Sequence, residues 1–241
     1  MQDHSRLEHA SRELRLKLAA TGLNIYSVLG LEDLPPPLNA SLAVPAARMA
    51  SSRIILVGHR GGDIWPQVQP AIATAADPVD DFSRNTLQRL CDEVLTGYEN
   101  RVIFPGADMM PLQQLGDRAG WGKSSWLGIN IHASFGTWYA FRAVVLTSAP
   151  LRPETLPDSV YPCEKCERPC ADNCPVTAPA QPGSFDLDAC VNWRLGPDSP
   201  CARRCLARES CPVGVDNRYP PEMIRYFYSR SLESLKRWRG E

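Results

Sequence analysis

The sequence has no run of about 18 or more apolar residues, and it carries almost no net charge. The first absence excludes a membrane-spanning helix, which needs about 20 consecutive, predominantly apolar residues. The second, a formal charge of −1 over 241 residues, argues against a dedicated nucleic-acid-binding protein, because such proteins usually carry a basic excess. The polar N-terminus also lacks the apolar stretch of a secretory signal peptide. We therefore expect a cytoplasmic protein whose partners are neither membranes nor nucleic acids.

Cysteine, by contrast, is abundant. Eight of the nine cysteines fall between Cys163 and Cys211. Disulfides are disfavoured in the reducing cytosol, so clustered cysteines there are more often metal ligands than bridges. The ninth, Cys91, lies in a stretch with helical spacing and is predicted to be a small, buried, apolar residue. The cysteine pattern therefore predicts a metal centre in the C-terminal part of the chain.

Apolar spacing and turn residues predict a mixture of helices and strands before the cysteines. Helices are predicted over residues 3–21 and 80–97, and strands over 53–58, 100–104 and 138–147. These elements indicate a first domain of the α+β class over residues 1–150. Three prolines between residues 150 and 157 predict a linker. Residues 158–241 are expected to form a second, smaller domain that ends in a helix over 221–238.

The first four clustered cysteines follow the order Cys163-x2-Cys166-x3-Cys170-x3-Cys174-Pro175. Apart from one residue inserted between the second and third cysteines, this order resembles the run of bacterial ferredoxins. There, three thiolates hold one [4Fe–4S] cluster and the fourth reaches the other. The resemblance implies two [4Fe–4S] clusters with crossed ligand sets: Cys163, Cys166, Cys170 and Cys211 for one, and Cys174, Cys190, Cys201 and Cys205 for the other. A structural zinc site is the competing interpretation, because zinc also accepts four cysteines.

A second informative stretch, residues 118–146, combines one histidine with three tryptophans, several glycines and a strand-like run. An aromatic wall beside small residues suits a large planar cofactor, although such residues also form ordinary cores. Within this stretch, Arg118-Ala-Gly120 and Phe135-Gly-Thr-Trp138 resemble the matching segment of epoxyqueuosine reductases. Residues 131–146 more closely resemble the cobalamin C-type processing proteins of animals, and so does Asp77-Pro-Val-Asp80.

The resemblance implies a nitroreductase-like, cobalamin-processing α+β domain followed by a small, ferredoxin-like, two-cluster domain. It implies that a corrinoid is bound by the following residues: Trp121, Trp126, His132, Ser134, Phe135, Gly136, Trp138 and Arg142. Three roles stay open for His132, namely cobalt ligation, lining of the pocket and packing in the core. Asp108 stands in Asp108-Met-Met-Pro111, which is similar to the segment of epoxyqueuosine reductases that carries their catalytic acid. It is therefore the candidate proton donor, with an exposed residue at a helix start as the alternative.

These observations lead to one functional hypothesis with three rivals. We expect an iron–sulfur, corrinoid-binding oxidoreductase that reduces cobalamin or reductively removes its upper ligand. An external donor such as a flavodoxin, a ferredoxin or a reductase would supply the electrons. The rivals are an epoxyqueuosine reductase-like enzyme, a plain ferredoxin-type electron carrier and a zinc-stabilised binding module.

Overall fold

The structure, a computed structural model, describes residues 2–31, 34, 51–106, 110–157, 160–181 and 184–240. The chain packs as two compact units. Unit 1 comprises Met1–Gly120 and Tyr139–Asp158, and unit 2 comprises Trp121–Trp138 and Ser159–Glu241. The helices are α1 (Gln2–Ala20), α2 (Trp65–Val68), α3 (Pro78–Val94), α4 (Leu112–Arg118), α5 (Pro169–Asp172), α6 (Leu187–Leu195), α7 (Leu206–Glu209) and α8 (Pro221–Arg239). The strands are β1 (Ile25–Gly30), β2 (Arg53–Arg60), β3 (Asn100–Phe104), β4 (Lys123–Ser124), β5 (Asn130–Ile131), β6 (Tyr139–Thr147), β7 (Pro179–Gln181) and β8 (Ser184–Phe185). Short 3₁₀ helices cover Gln69–Ala71, Pro200–Ala202 and Val215–Asn217.

Unit 1 is built on a four-stranded antiparallel sheet in the order β1-β2-β6-β3. Residues 54–57 of β2 are all fully buried, as are Val144 and Val145 of β6. Because successive side chains of a strand point to opposite faces, such continuous burial means that both faces of the central strands are covered. Helix α3 packs against β3, β6 and helix α1. The core of unit 1 therefore lies around the two central strands, and the predicted α+β class is confirmed.

The predicted elements of unit 1 agree with the structure apart from their ends. Strand β2 extends two residues beyond the predicted 53–58, and α1 matches the predicted helix over 3–21 to within one residue at each end. Helix α3 begins at Pro78. Proline suits the first turn of a helix because it has no backbone N–H, and an N–H at that position would have no acceptor within the helix. It ends at Val94, three residues before the predicted end, and Gly97 then adopts a φ of +88°. Strand β1 was not predicted.

The proline-rich segment 150–157 is not a free linker, which corrects the sequence-based expectation. Leu151 within it is fully buried. The Val28 N–H donates to the Glu154 carbonyl at 2.7 Å, and the Glu154 N–H donates to the Val28 carbonyl at 2.9 Å. The segment therefore pairs with the outer edge of β1, the terminal strand of the sheet, through one bridge between Glu154 and Val28. The prolines interrupt regular structure without detaching the chain.

Unit 2 consists of short elements and one long helix. The predicted C-terminal helix is confirmed as α8, which packs against α6 and ends at Arg239, followed by Gly240 with a φ of +81°. Residues 121–138, which the sequence analysis placed in the first domain, belong to unit 2 and carry the small hairpin β4–β5. None of the described helices is long and apolar enough to cross a membrane.

Candidate functional site

The eight clustered cysteines divide into two sets of four, and each set lines its own cavity within unit 2. The first cysteine cavity, of about 20 Å³, is lined by Cys163, Cys166, Cys170 and Cys211. The second cysteine cavity, of about 350 Å³, is lined by Cys174, Cys190, Cys201 and Cys205. None of the nine cysteines forms a disulfide. The two sets are those of the crossed order that the sequence analysis described.

The packing of two short helices explains the crossing. Helix α5 carries Cys170 and packs against α7. The Ser210 hydroxyl, just after α7, donates to the Pro169 carbonyl at the start of α5 at 3.0 Å. This contact brings Cys211 close to Cys170 and the other cysteines of the first set, although it lies 41 residues after Cys170 in the sequence. Cys174, which follows α5, lies outside this contact and lines the second cysteine cavity.

Backbone N–H groups point at most of these sulfurs. In the first set, the donors to Cys163, Cys166, Cys170 and Cys211 are the N–H groups of Trp126, Arg168, Ala171 and Val213. In the second set, the N–H groups of Ala178 and Arg208 each lie 3.4 Å from the sulfurs of Cys174 and Cys205. Such donors stabilise sulfur when it carries negative charge, which is the state in which thiols bind metal.

In the protein without a bound metal, burial nevertheless disfavours the thiolate form of these cysteines. It raises the pKa of Cys170 and of Cys190 to about 11, with neighbouring cysteines adding to the effect. Burial also raises the pKa of Cys163, Cys205 and Cys211. Without a bound cation, burial therefore favours the protonated thiol form of these cysteines. In the described part of the chain, no group of three or more His, Cys, Asp or Glu side chains converges to hold a single metal ion.

Three arginines line the second cysteine cavity, and the sequence analysis identified none of them; Arg194 and Arg208 are less exposed than Arg204. Arg194 is 8% exposed and donates to three acceptors, each at 3.1 Å: the carbonyls of Cys201 and Tyr228 and the hydroxyl of Ser231. Arg208 donates to Thr137, and its guanidinium lies 4.4 Å from the centre of the Trp138 ring. Most of these partners are 30 or more residues away in the sequence, so no local pattern signals them. Arg194 and Arg208 both place positive charge beside the second set of sulfurs.

The candidate corrinoid residues are divided between the two units. Those in unit 2 are Trp121, Trp126, His132, Ser134, Phe135, Gly136 and Trp138, whereas Arg142 lies on β6 in unit 1. Trp121 and Trp138 are fully buried, so neither ring offers surface to a ligand in this conformation. Ser134 is exposed and Trp126 is half-buried. Asp108, the candidate proton donor, lies outside the described residues.

His132, Phe135 and Gly136 belong to one tight turn. The backbone groups of His132 and Gly136 pair in both directions, at 3.0 and 2.9 Å. The His132 Nδ1 atom accepts from the backbone N–H groups of Ser134 at 3.0 Å and Phe135 at 3.4 Å. The imidazole also stacks on the Phe135 ring, with centroids 4.0 Å apart. His132 therefore stabilises this turn through its Nδ1 and its ring face.

The same turn packs against the loop that carries Cys211. Gly136 has a φ of +60°, and a Cβ atom there would lie 2.0 Å from the Val213 carbonyl oxygen. Gly214 has a φ of +69°, and a Cβ atom there would lie 2.2 Å from the Phe135 backbone. Two glycines thus permit a close approach of the two backbones that side chains would prevent. The Phe135-Gly-Thr-Trp138 segment is therefore part of the support of the cysteine-bearing unit.

Trp126 lies against the first cysteine cavity. The Arg168 guanidinium stands 4.7 Å from the centre of its ring. Its indole Nε1 atom is buried and has no hydrogen-bond acceptor among the described residues. A buried donor without an acceptor is unfavourable by about 1–3 kcal/mol, so a bound group that offered an acceptor at this place would stabilise the Trp126 side chain.

In unit 1, Arg142 takes part in a polar cluster. Its Nε–H donates to the Nδ1 atom of His59, which is fully buried, at 2.9 Å. Burial raises the pKa of Asp80, in the first turn of α3, and the charge of Arg142 partly offsets this increase. The structure therefore brings Arg142 near the Asp77-Pro-Val-Asp80 segment that the sequence analysis singled out.

An antiparallel sheet covered by helices, together with a unit holding two four-cysteine cavities, defines a mixed α+β protein. No protein-family model matches the chain, and no curated protein sequence matches it. Among solved structures, it is similar to an epoxyqueuosine reductase in complex with an epoxyqueuosine-modified tRNA stem loop, at TM-score 0.58 and 14% identity over 91% of this chain and 69% of that one. The epoxyqueuosine reductase of Bacillus subtilis is similar at TM-score 0.56 and 15% identity, over 89% and 68% of the two chains. The B12-trafficking protein CblC of C. elegans is similar at TM-score 0.51 and 17% identity, over 97% of both chains. These likenesses show the fold, and they confirm that it is related to that of both groups.

Proposed function

We propose that this protein is an iron–sulfur, corrinoid-binding oxidoreductase in which two [4Fe–4S] clusters deliver electrons to a bound corrinoid. The observation that carries the proposal is the sorting of eight cysteines into two cavities of four. The sequence interleaves the two sets, yet the fold separates them. Two clusters held by crossed ligand sets require this arrangement.

The second cysteine cavity, of about 350 Å³, fits a cluster better than it fits zinc, whereas the first, of about 20 Å³, has room for about one water molecule. The four thiolates of a cubane bind four different irons, so their sulfurs must surround a volume. A zinc ion instead needs four sulfurs at about 2.3 Å from one point. The cysteines line cavities and receive backbone N–H donors, which are among the groups that tune a cluster. The buried Nε1–H of Trp126 would find its acceptor in a cluster sulfur.

The likeness in fold to epoxyqueuosine reductases and to a B12-trafficking protein supports the corrinoid part of the proposal. Bound clusters would supply one-electron transfer, and a bound corrinoid would supply a cobalt centre that accepts those electrons or loses its upper ligand. Of the candidate residues, Ser134 and Trp126 have surface available for contact. Trp121 and Trp138 are fully buried, so they would support the packing of unit 2 and would not contact the corrinoid directly. Arg142, on unit 1, and Asp108 remain candidates.

Titration with cob(II)alamin under anaerobic conditions tests the corrinoid site. Binding should shift the optical and paramagnetic spectra to those of a base-off form, in which the lower axial donor is absent. Loss of that donor makes the cobalt easier to reduce. Unchanged spectra at saturating protein would refute corrinoid binding and favour a plain electron carrier. Turnover of epoxyqueuosine-containing tRNA, tested with the same protein, would instead favour an epoxyqueuosine reductase.

A pair of matched variants examines the site in unit 2. Ser134 and Ser234 are both exposed serines of that unit, but only Ser134 lies in the candidate corrinoid turn. We expect Ser134→Trp to weaken cob(II)alamin binding at least about tenfold through steric exclusion, and Ser234→Trp to leave it unchanged. Equal cob(II)alamin binding by both variants would show that the corrinoid does not bind at this turn. The same measurement tests unit 1: we expect Arg142→Met to weaken cob(II)alamin binding and Arg101→Met to leave it unchanged.

A further inference from the structure

A surface of concentrated positive charge lies beside the second cysteine cavity. Four exposed arginines, Arg203, Arg204, Arg218 and Arg225, line a depression of about 620 Å³ together with Glu209. This group, the arginine surface, carries a formal charge of +3, whereas the whole chain carries −1. Positive charge is therefore concentrated on this surface, although the chain as a whole is slightly negative.

Part of the arginine surface is held in place by the residues around it. Arg204 forms a two-pronged pair with the Glu209 carboxylate, one prong being 3.0 Å long. Arg218 donates to the Glu209 carbonyl oxygen at 2.6 Å, and its guanidinium lies 5.6 Å from the centre of the Trp138 ring. Two of the four positive charges are thus fixed before any partner arrives, which reduces the conformational entropy lost on association.

The arginine surface is continuous with the second cysteine cavity. The side chain of Arg204 lines both of them. Arg203 and Arg204 also directly precede Cys205, one of the four cysteines of that cavity. A redox partner seated on this surface would therefore stand next to the second set of sulfurs.

We propose that the arginine surface is the docking site of an acidic, one-electron-donating redox protein, which reduces the cluster of the second cysteine cavity. This inference rests on the proposed function, because it requires a cluster there. One electron passes from the reduced donor to the oxidised cluster, the donor is oxidised by one electron, and no covalent bond forms or breaks. Complementary charge accelerates such encounters by about 10- to 1,000-fold and makes them sensitive to salt. The position beside the cavity favours a protein electron donor over RNA, for which charge alone would suffice.

The test uses the anaerobically reconstituted full chain and a flavodoxin hydroquinone of negative net charge as the probe. Arg203→Glu/Arg225→Glu reverses two charges of the surface without touching the cysteine cavity. Arg101→Glu/Arg152→Glu changes the net charge equally on unit 1 and is the matched control. We expect the first double variant to lower the second-order rate of reduction at least about tenfold at low ionic strength, and less at about 0.5 M salt. The control should stay within about twofold of the unaltered protein.

A neutral small-molecule reductant, photoreduced deazariboflavin, separates this inference from the function on which it rests. It should reduce the clusters of both double variants at the rate of the unaltered protein. Equal rates for both double variants with flavodoxin would overturn the docking site while leaving the clusters in place. Failure of the neutral reductant to reduce the unaltered protein would refute the proposed function itself. Loss of binding to an RNA stem loop in Arg203→Glu/Arg225→Glu, with its flavodoxin rate retained, would overturn the inference in favour of RNA.

Discussion

Replacing Trp126 by phenylalanine tests whether a cluster occupies the first cysteine cavity. Trp126 lines that cavity, and its Nε1–H is buried without an acceptor in the described part of the chain. Phenylalanine keeps a ring in the same place, including a weaker contact with Arg168, but it removes the N–H donor. If a cluster sulfur accepts this hydrogen bond, the variant should have a lower reduction potential at the first cluster.

The size of the effect follows from the charge of the cluster. Reduction adds one negative charge, and a hydrogen bond to a more strongly charged acceptor is stronger. A cluster with four thiolates is negatively charged in both oxidation states, and a hydrogen bond to a charged group contributes about 1.5–3 kcal/mol, so we expect the extra charge of the reduced state to strengthen this bond within that spread, by about 0.5–1.5 kcal/mol. For one electron, 59 mV corresponds to a tenfold change in equilibrium constant, so the potential should fall by roughly 20–60 mV.

A redox titration followed by electron paramagnetic resonance measures this shift. Trp238→Phe is the matched control, because Trp238 is 60% exposed near the end of α8 and lines neither cysteine cavity. The potential of the first cluster should fall in Trp126→Phe only, and that of the second cluster should not move. An unchanged or higher potential at the first cluster would show that the indole N–H does not bond to a cluster.

Three further predictions concern the cysteines and their support. Cys163→Ser should abolish the signal of one cluster and Cys174→Ser that of the other, in electron paramagnetic resonance spectra of the reduced protein; loss of the same signal in both would contradict the crossed sets. Gly136→Ala should lower the free energy of unfolding by about 1–3 kcal/mol or more, because its Cβ atom would collide with the Val213 carbonyl, and an unaltered denaturation midpoint would refute this packing. Cys91 should resist alkylation at about pH 8 in the native protein, because it is fully buried and burial raises its pKa to about 12; rapid labelling, detected by mass spectrometry, would be the contrary result.

The sequence predicted those elements whose signal is local. A run of four apolar residues in β2 marks a strand covered on both faces, and the short spacing from Cys163 to Cys170 places these side chains at the same cavity. The burial of Cys91 followed in the same way from the helical spacing around it, and the structure confirms it.

Long-range packing accounts for what the sequence did not predict. The contact of Gly136 with Val213 draws residues 121–138 into unit 2, although these residues are next to unit 1 in the sequence. Arg194 looks like an ordinary helical arginine until its partners on α8 are known. Three prolines between residues 150 and 157 suggested a linker, because the sequence does not show the β1 edge that accepts Glu154.

The central claim, that two clusters occupy the two cysteine cavities, is tested most directly by metal and sulfide analysis of anaerobically purified protein. Two [4Fe–4S] clusters predict about eight irons and about eight acid-labile sulfides per chain, with the brown colour of iron–sulfur proteins. Colourless protein that contains stoichiometric zinc, and neither iron nor labile sulfide, would contradict the account.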